Sequence, residues 1–428
     1  MTPNNSRPPV KVLVVTSIDT TLVILLWAQI RAKLVAGYEV HCACTAGRNC
    51  AFLTGNGVHY HGITVRRAIS PFSDLAALWK LYRLMRRERF SIVHTHTPKA
   101  ALLGQLAAKL AGVPIIVNTV HGFYFHDDMK PLARWFHIAM AWIGGRCATF
   151  ALSQNSEDIT TALRLGISQP DRVGFLGNGV DLQRFDPDRF DHAFRSRKRR
   201  EIAVPTDCIL IGMVGRLVVD KGYFELFDAL ALLMGRRSDF HAFIIGAYDE
   251  HRAGRFGPEE IARRGLSNCV TYLGPRGDVE ECLTCMDIFV LPSWREGFPR
   301  SAIEAAAMRL PIVTTNIRGC REVVRHDENG LLVPPRTPAA LASAIEKLLD
   351  DGDLRDRLGR SGYDRSRRDF DERIICQRVL NLYGELLDAA RLDRPTAIPD
   401  RDESLPQRVA YAWESTGTAG DTPAGTMK

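Results

Sequence analysis

Short apolar runs recur along the chain, separated by segments long enough for a helix. VKVLVVT, EVHCACT, SIVHTH, PIIVNTV and ATFALS lie before about residue 182. This strand–helix rhythm predicts a doubly wound, Rossmann-like parallel sheet over residues 1–185. A second set, CILIGMVG, HAFIIG, CVTYLG, MDIFVLP, PIVTT and GLLVP, predicts another α/β domain over 206–370. Residues 186–205, which include FRSRKRR, are polar and basic without strand pattern and predict an interdomain linker. DERIICQRVLNLYGELLDAA (371–390) has helical periodicity, and the Pro-, Asp-, Thr- and Gly-rich stretch 391–428 predicts a disordered tail. The two domains repeat in architecture and not in sequence.

Two places in the second domain carry candidate chemistry. Glu296 and Glu304 bracket EGFPRSAIE, between the strand-like IFVLP and the helix-like SAIEAAAM. The Gly297–Pro299 break marks a strand-to-helix turn, and ligands of parallel α/β sheets bind beyond the carboxyl ends of the strands. Taken alone, such a pair reads as a loop carboxylate and a helix-face charge. Upstream, however, GMVGRLVVDKGYFEL (212–226) sets Arg216 and Lys221 in another such turn. Arginine clamps phosphate bidentately, lysine adds a point charge, and the following helix N-terminus adds partial positive charge. Cations on one turn and carboxylates on another suit a ligand with a diphosphate at its centre and hydroxyls at both ends, as in a nucleotide-sugar. In the first domain, His121 follows the strand PIIVNTV and precedes a glycine, at the cleft edge. His94 belongs to a strand, whereas His96 opens the loop THTPKA with Lys99 and can face an acceptor.

GRL…DKG, EGFPRSAIEAAA and GLLVPP together resemble the retaining family 4 glycosyltransferases, from about Val12 to about Ala390. VHTHTPKAALLGQLAAKLAGVP (93–114), TVHGFYFHD (119–127) and NGVD (178–181) resemble the branch that builds bacterial surface polysaccharides and lipid-linked oligosaccharides. The resemblance implies a GT-B fold: two Rossmann-like domains facing across a cleft, with the last helix returning to the N-terminal domain. It implies transfer, with retention, of a hexose or N-acetylhexosamine from a nucleoside-diphosphate-sugar (UDP-linked) to a lipid-linked or glycan acceptor. Arg216 and Lys221 would neutralise the departing diphosphate with no metal and no cofactor. Glu304 would bind the ribose and Glu296 the hexose, with Gly297, Phe298, Pro299 and Arg300 lining sugar and phosphate. His121 would lie near the reacting sugar. One departure stands out. Many family members carry a Gly-rich turn after the first strand, where this chain reads Thr16-Ser17-Ile18-Asp19-Thr20-Thr21. Backbone approach to a pyrophosphate is harder without glycine, so the hydroxyls of Ser17 and Thr20 are candidate substitutes on the acceptor side. Two other readings stay open: a nucleotide-sugar epimerase of GT-B fold and a non-catalytic nucleotide-sugar-binding protein. The missing G-x-G-x-x-G fingerprint counts against an oxidoreductase.

Composition changes this picture little. A chain of 428 residues with 46% hydrophobic and 25% charged residues accommodates two full cores. Ten scattered cysteines lack paired zinc-ligand spacing; Cys282 and Cys285 read as half-buried helix residues, and Cys42 and Cys44 as one face of a buried strand. This is the cysteine usage of a reduced compartment. The polar start MTPNNSRPP gives no signal-peptide pattern, and LVILLWAQI (22–30) falls far short of the ~20 residues of a membrane span. Charge adds more. Residues 1–200 hold 26 Lys and Arg against 13 Asp and Glu, a net of +13, and the remainder carries −6, giving +7 overall. In LWKLYRLMRRERF (78–90), Lys80, Arg83, Arg86, Arg87 and Arg89 interleave with Leu78, Leu81, Leu84 and Met85. A sheet-packing helix with a solvated cationic face is the simple reading; an anionic membrane surface is the sharper one. No recognition motif for nucleic acid accompanies the charge. The expected location is the cytoplasm, peripheral at the inner face of the plasma membrane.

Overall fold

The computed structural model describes residues 9–66, 70–126, 129–248 and 256–396. In the N-terminal domain, β1 (Lys11–Ile18), β2 (Glu39–Thr45), β3 (His59–Gly62), β4 (Ile92–His96), β5 (Ile115–Val120), β6 (Phe150–Ser153) and β7 (Val173–Phe175) form one parallel sheet. Its order is β3-β2-β1-β4-β5-β6-β7. The second sheet holds β8 (Ile209–Val214), β9 (Phe240–Ile245), β10 (Val270–Tyr272), β11 (Ile288–Leu291), β12 (Ile312–Thr315) and β13 (Gly330–Val333). It is also parallel, in the order β10-β9-β8-β11-β12-β13. Central strands such as β4, β9, β11 and β12 are buried along their whole length, because helices cover both faces of a parallel sheet. Strand order reverses between β1 and β4 in one sheet and between β8 and β11 in the other. Those reversals open the crevices where ligands of doubly wound sheets bind.

The helix Glu372–Ala389 returns to the N-terminal domain as expected. Its Ile375, Val379, Leu382, Tyr383 and Leu387 share a core with Leu22, Trp27 and Ile30. The chain crosses between domains twice, and the crossings pair: Val180 N–H donates to Phe370 O at 2.9 Å, and Glu372 N–H to Val180 O at 3.1 Å.

Three expectations need correction. The stretch 186–205 is no free linker. It contains the helix His192–Glu201, whose buried Lys198 and Arg199 pair with Asp278, Glu281 and Asp287 of the C-terminal domain. Basic residues that looked solvated meet acidic partners far along the chain. Val180, Leu182 and Phe185 already belong to the C-terminal core, so the crossover lies before residue 185. Cys282 and Cys285 are fully buried, not half-buried. The predicted tail lies outside the described residues from 397 onward, as do residues 1–8.

On the helix Pro71–Glu88, Ala77, Leu81, Leu84 and Met85 are buried while Lys80, Arg83, Arg86 and Arg87 are exposed. The same helix exposes Phe72 (91%), Leu75 (65%) and Trp79 (58%), and the helix Pro131–Cys147 exposes Leu132 (85%) and Trp135 (64%). Among the described residues, no helix is long and apolar enough to cross a membrane.

Candidate active site

The two βα turns of the C-terminal domain come together as the motifs suggested. β8 leads through exposed Arg216 into a short 3-10 turn (Val219–Lys221) and the helix Tyr223–Met234. β11 leads through Ser293 and Glu296 into the helix Arg300–Ala307. Because β8 and β11 are neighbours, the two turns meet above the same sheet edge. Lys221 Nζ donates to Glu296 Oε1 at 2.5 Å, and Ser293 Oγ donates to the same oxygen at 2.8 Å. Glu304 sits one helical turn beyond Arg300, whose Nε donates to Glu304 Oε1 at 3.1 Å. Burial raises the Glu304 carboxyl above its usual range, and Arg300 and Arg184 act against that rise. The Arg300 guanidinium also donates to Ile24 O of the N-terminal domain at 3.2 Å, so it spans the cleft.

On the facing side, His121 and Gly122 follow β5. Gly122 has φ of 106°, a conformation that glycine alone adopts freely. A Cβ on Gly297 would overlap the His121 carbonyl oxygen, and one on Gly122 would press on Gly297 Cα. The two turns therefore touch backbone to backbone. Of His121, it is the main-chain carbonyl that meets the opposite domain. Its ring is held inside the N-terminal domain, Nδ1 3.1 Å from Gln154 Oε1 and Nε2 3.0 Å from His96 Nδ1. His96 stacks on His94, which bonds Thr119 Oγ1 at 2.7 Å and Tyr383 of the returning helix at 2.8 Å. Burial lowers all three imidazoles, His121 to about 4, so this ladder is neutral near pH 7.

The remaining acceptor-side candidates are dispersed. Ser17 Oγ lies 2.9 Å from Thr97 Oγ1, joining the ends of β1 and β4 at the switch point. Thr20 N–H donates to buried Asp19, and Lys99 is paired with Asp74 at 2.6 Å. Phe298 and Pro299 are buried beneath the turn that carries Glu296. Behind His121 lies an apolar recess of about 110 Å³ lined by Leu102, Phe123, Phe125, Met140 and Ile159.

Sequence reasoning missed the residues that hold the domains together. Asn155 caps the helix Ser156–Arg164 through Oδ1 while its Nδ2 donates to Gly297 O at 3.2 Å. Asn178, within NGVD, donates to Phe298 O at 3.3 Å. Arg318 pairs with the fully buried Asp158 at 2.7 Å and donates to Phe123 O. Glu322 accepts from Ser156 N–H at 2.7 Å, and Arg321 forks onto Glu157. The available signal was positional: each follows a strand end facing the cleft.

The sequence profile for "Glycosyl transferase 4-like domain" matches residues 26–179, and that for "Glycosyl transferases group 1" matches 194–365. A capsular polysaccharide biosynthesis glycosyltransferase of Staphylococcus aureus, CapM, is 28% identical over 85% of this chain and 94% of its own. The UDP-Gal:alpha-D-GlcNAc-diphosphoundecaprenol alpha-1,3-galactosyltransferase of Escherichia coli is 29% identical over 67% of this chain and 74% of its own. Among solved structures, Anabaena HepE in complex with UDP and glucose superposes with a TM-score of 0.72, at 20% identity, over 88% of this chain and all of that one. A glycosyltransferase from Rickettsia africae gives 0.73 at 21% identity, over 89% and 99%. With both halves matched in tandem and folded as two facing parallel-sheet domains, the chain belongs to the family 4 glycosyltransferases of GT-B fold.

Proposed function

We propose that the protein transfers a hexose or N-acetylhexosamine from a UDP-sugar, with retention of configuration, to a lipid-linked acceptor in cell-surface polysaccharide synthesis. The observation that carries this reading is the meeting of Lys221 and Glu296 at adjacent βα turns, with Glu304 in the helix that follows the second turn. Breaking the sugar–phosphate bond leaves charge on the diphosphate and on the anomeric carbon. Lys221 and Arg216 supply preorganised positive charge to the first, in place of a metal ion. Glu296 Oε1 is taken up by Lys221 and Ser293, and Oε2 is the oxygen left to accept from a hexose hydroxyl. Glu304 accepts from the ribose.

Relatives support the donor and acceptor classes: one uses UDP-Gal and a diphosphoundecaprenol-linked sugar, and another a diphospho-undecaprenol-linked bacillosamine. The apolar recess behind His121 supports an acceptor that carries hydrocarbon. The exposed aromatic residues and cations of the helices Pro71–Glu88 and Pro131–Cys147 support work at an anionic membrane surface. The test is release of UDP from a panel of UDP-sugars with and without a short polyprenyl-diphosphate-linked sugar. Acceptor-dependent UDP release, with an α-linked product from an α-linked donor, is expected. Conversion of the UDP-sugar to its epimer without acceptor would favour a GT-B epimerase, and no turnover with any pair would leave a nucleotide-sugar-binding protein.

A further inference from the structure

The edge of the N-terminal sheet carries imidazoles that sugar transfer does not use. β2 and β3 run parallel, with His41 opposite His59 and Ala43 opposite His61. Side chains two apart on a strand share a face, so Glu39, His41, His59 and His61 gather on one side. Glu39 opens β2 beside Lys11, which opens β1. The cluster therefore lies at the amino ends of the strands, across the sheet from the cleft.

Its geometry is that of a coordination site. One ligand atom each from Glu39, His41 and His59 lies within 4.8 Å of the other two, a grouping of this kind that stands alone among the described residues. His41 Nε2 is 2.8 Å from Glu39 Oε1. His41 Nδ1 is 2.9 Å from His61 Nε2. The His41 ring is buried, stacked on His59 and set edge-on against Phe90. His59 is exposed and gives access from solvent. Lys11 lies 3.4 Å from Glu39 and 3.0 Å from Glu88, so it keeps a partner when Glu39 turns away.

We propose that Glu39, His41 and His59 bind a divalent transition cation of the zinc type, with His61 as a positioning residue. Two imidazoles and one carboxylate suit zinc, whereas calcium and magnesium select all-oxygen shells. Zinc–ligand bonds of about 2.0–2.2 Å place tetrahedral ligand atoms roughly 3.4 Å apart, within reach of a small rotation of the exposed His59 ring. In the metal-bound tautomer His41 Nδ1–H donates to His61 Nε2, the outer hydrogen bond that fixes most metal-bound histidines. The fourth position faces solvent and takes water. Bound there, the cation ties the edge strand β3 to β2 and stabilises a sheet edge that otherwise depends on one short ladder. This site is independent of the transferase chemistry.

The test uses the full chain, stripped with EDTA and dialysed. Calorimetric titration with Zn²⁺ is expected to give one equivalent bound at micromolar metal, with a raised melting temperature. Co²⁺ is expected to give the visible absorption of a four-coordinate ion with nitrogen and oxygen ligands. His59→Ala, on an exposed residue, and Glu39→Gln should abolish that equivalent. His61→Gln should weaken it by about 10–100-fold, as outer-shell changes do. Failure of the wild type to bind Zn²⁺, undiminished binding by His59→Ala, or a thiolate-type Co²⁺ spectrum would each overturn the site.

Discussion

At the scale of single residues, the proposed donor site would divide labour between two carboxylates, Glu296 and Glu304. Glu304→Gln is expected to weaken binding of UDP and of UDP-sugar alike, because both carry the ribose. Glu296→Gln should weaken only the sugar-nucleotide. Losing a charged acceptor costs about 1.5–3 kcal/mol, so each loss should be tenfold or more in calorimetric titration. Equal losses for both ligands in both variants would refute the division. Lys221 is expected to act on turnover. Its partly exposed pair with Glu296 adds little to stability, whereas removing a transition-state cation costs on the order of 10²–10³ in rate. Lys221→Ala should keep its melting temperature and lose that much turnover; near-wild-type turnover would place the diphosphate elsewhere. The meeting of Lys221 and Glu296 was legible because each βα turn is a continuous stretch of chain. Asp158 and Arg318 were not, since they lie on different domains and only the folded molecule sets them 2.7 Å apart. The HYH of β3 was passed over for a related reason: it is polar and half-exposed, and Glu39 and His41 lie on the preceding strand with a helix between.

At the scale of elements, strands buried on both faces announced themselves and edge strands did not. All six strands of the second sheet correspond to apolar runs in the sequence. In the first sheet, β3 and β7 are short edge strands of mixed polarity and were absent from the reading. The basic helix His192–Glu201 was hidden by its own composition, because charge pairing across elements leaves no periodic trace. The helix Pro71–Glu88 is the element on which a membrane role turns. Its cations are exposed beside Phe72 and Trp79, a combination suited to an interface of head groups and acyl chains. Each cation near an anionic surface contributes about 1 kcal/mol. Replacing Arg83, Arg86, Arg87 and Arg89 with Gln should therefore release the protein from anionic vesicles, while activity on a soluble acceptor analogue persists. Wild-type binding should fall as salt rises, since screening acts over about 8–10 Å near physiological ionic strength. Co-sedimentation of the quadruple variant at the wild-type level would leave this helix as a solvated cover of the sheet.

At the scale of the whole molecule, the imidazole ladder ties the N-terminal sheet, the cleft and the last helix into one neutral assembly. Burial lowers His94, His96 and His121, so unfolding releases three rings that take up protons near pH 6.5. The unfolded chain then binds more protons, and stability falls as pH drops from about 7 toward 4, by up to about 1.4 kcal/mol per unit for each ring. Glu372, raised to about 7 by burial, acts with the opposite sign between about 4.5 and 7, and the raised carboxyls of Glu304 and Asp158 share that sign. The lowered rings, which also include His61, His137 and His241, outnumber these carboxyls, so the melting temperature should be lower at pH 5.5 than at 7.5; calorimetry giving a flat or reversed trend would contradict the neutral ladder. The return of the helix Glu372–Ala389 reaches further still, into the order of biosynthesis. Leu22, Trp27 and Ile30 leave the ribosome early, but the Tyr383 that covers them follows only after the whole donor domain. At roughly 5–20 residues per second that interval lasts about 20–70 s. Throughout it the first domain shows an uncovered apolar wall of the kind chaperones bind, and a chain stalled within the donor domain never hides it. Docking of the helix Glu372–Ala389 thus reports that the donor domain has been made.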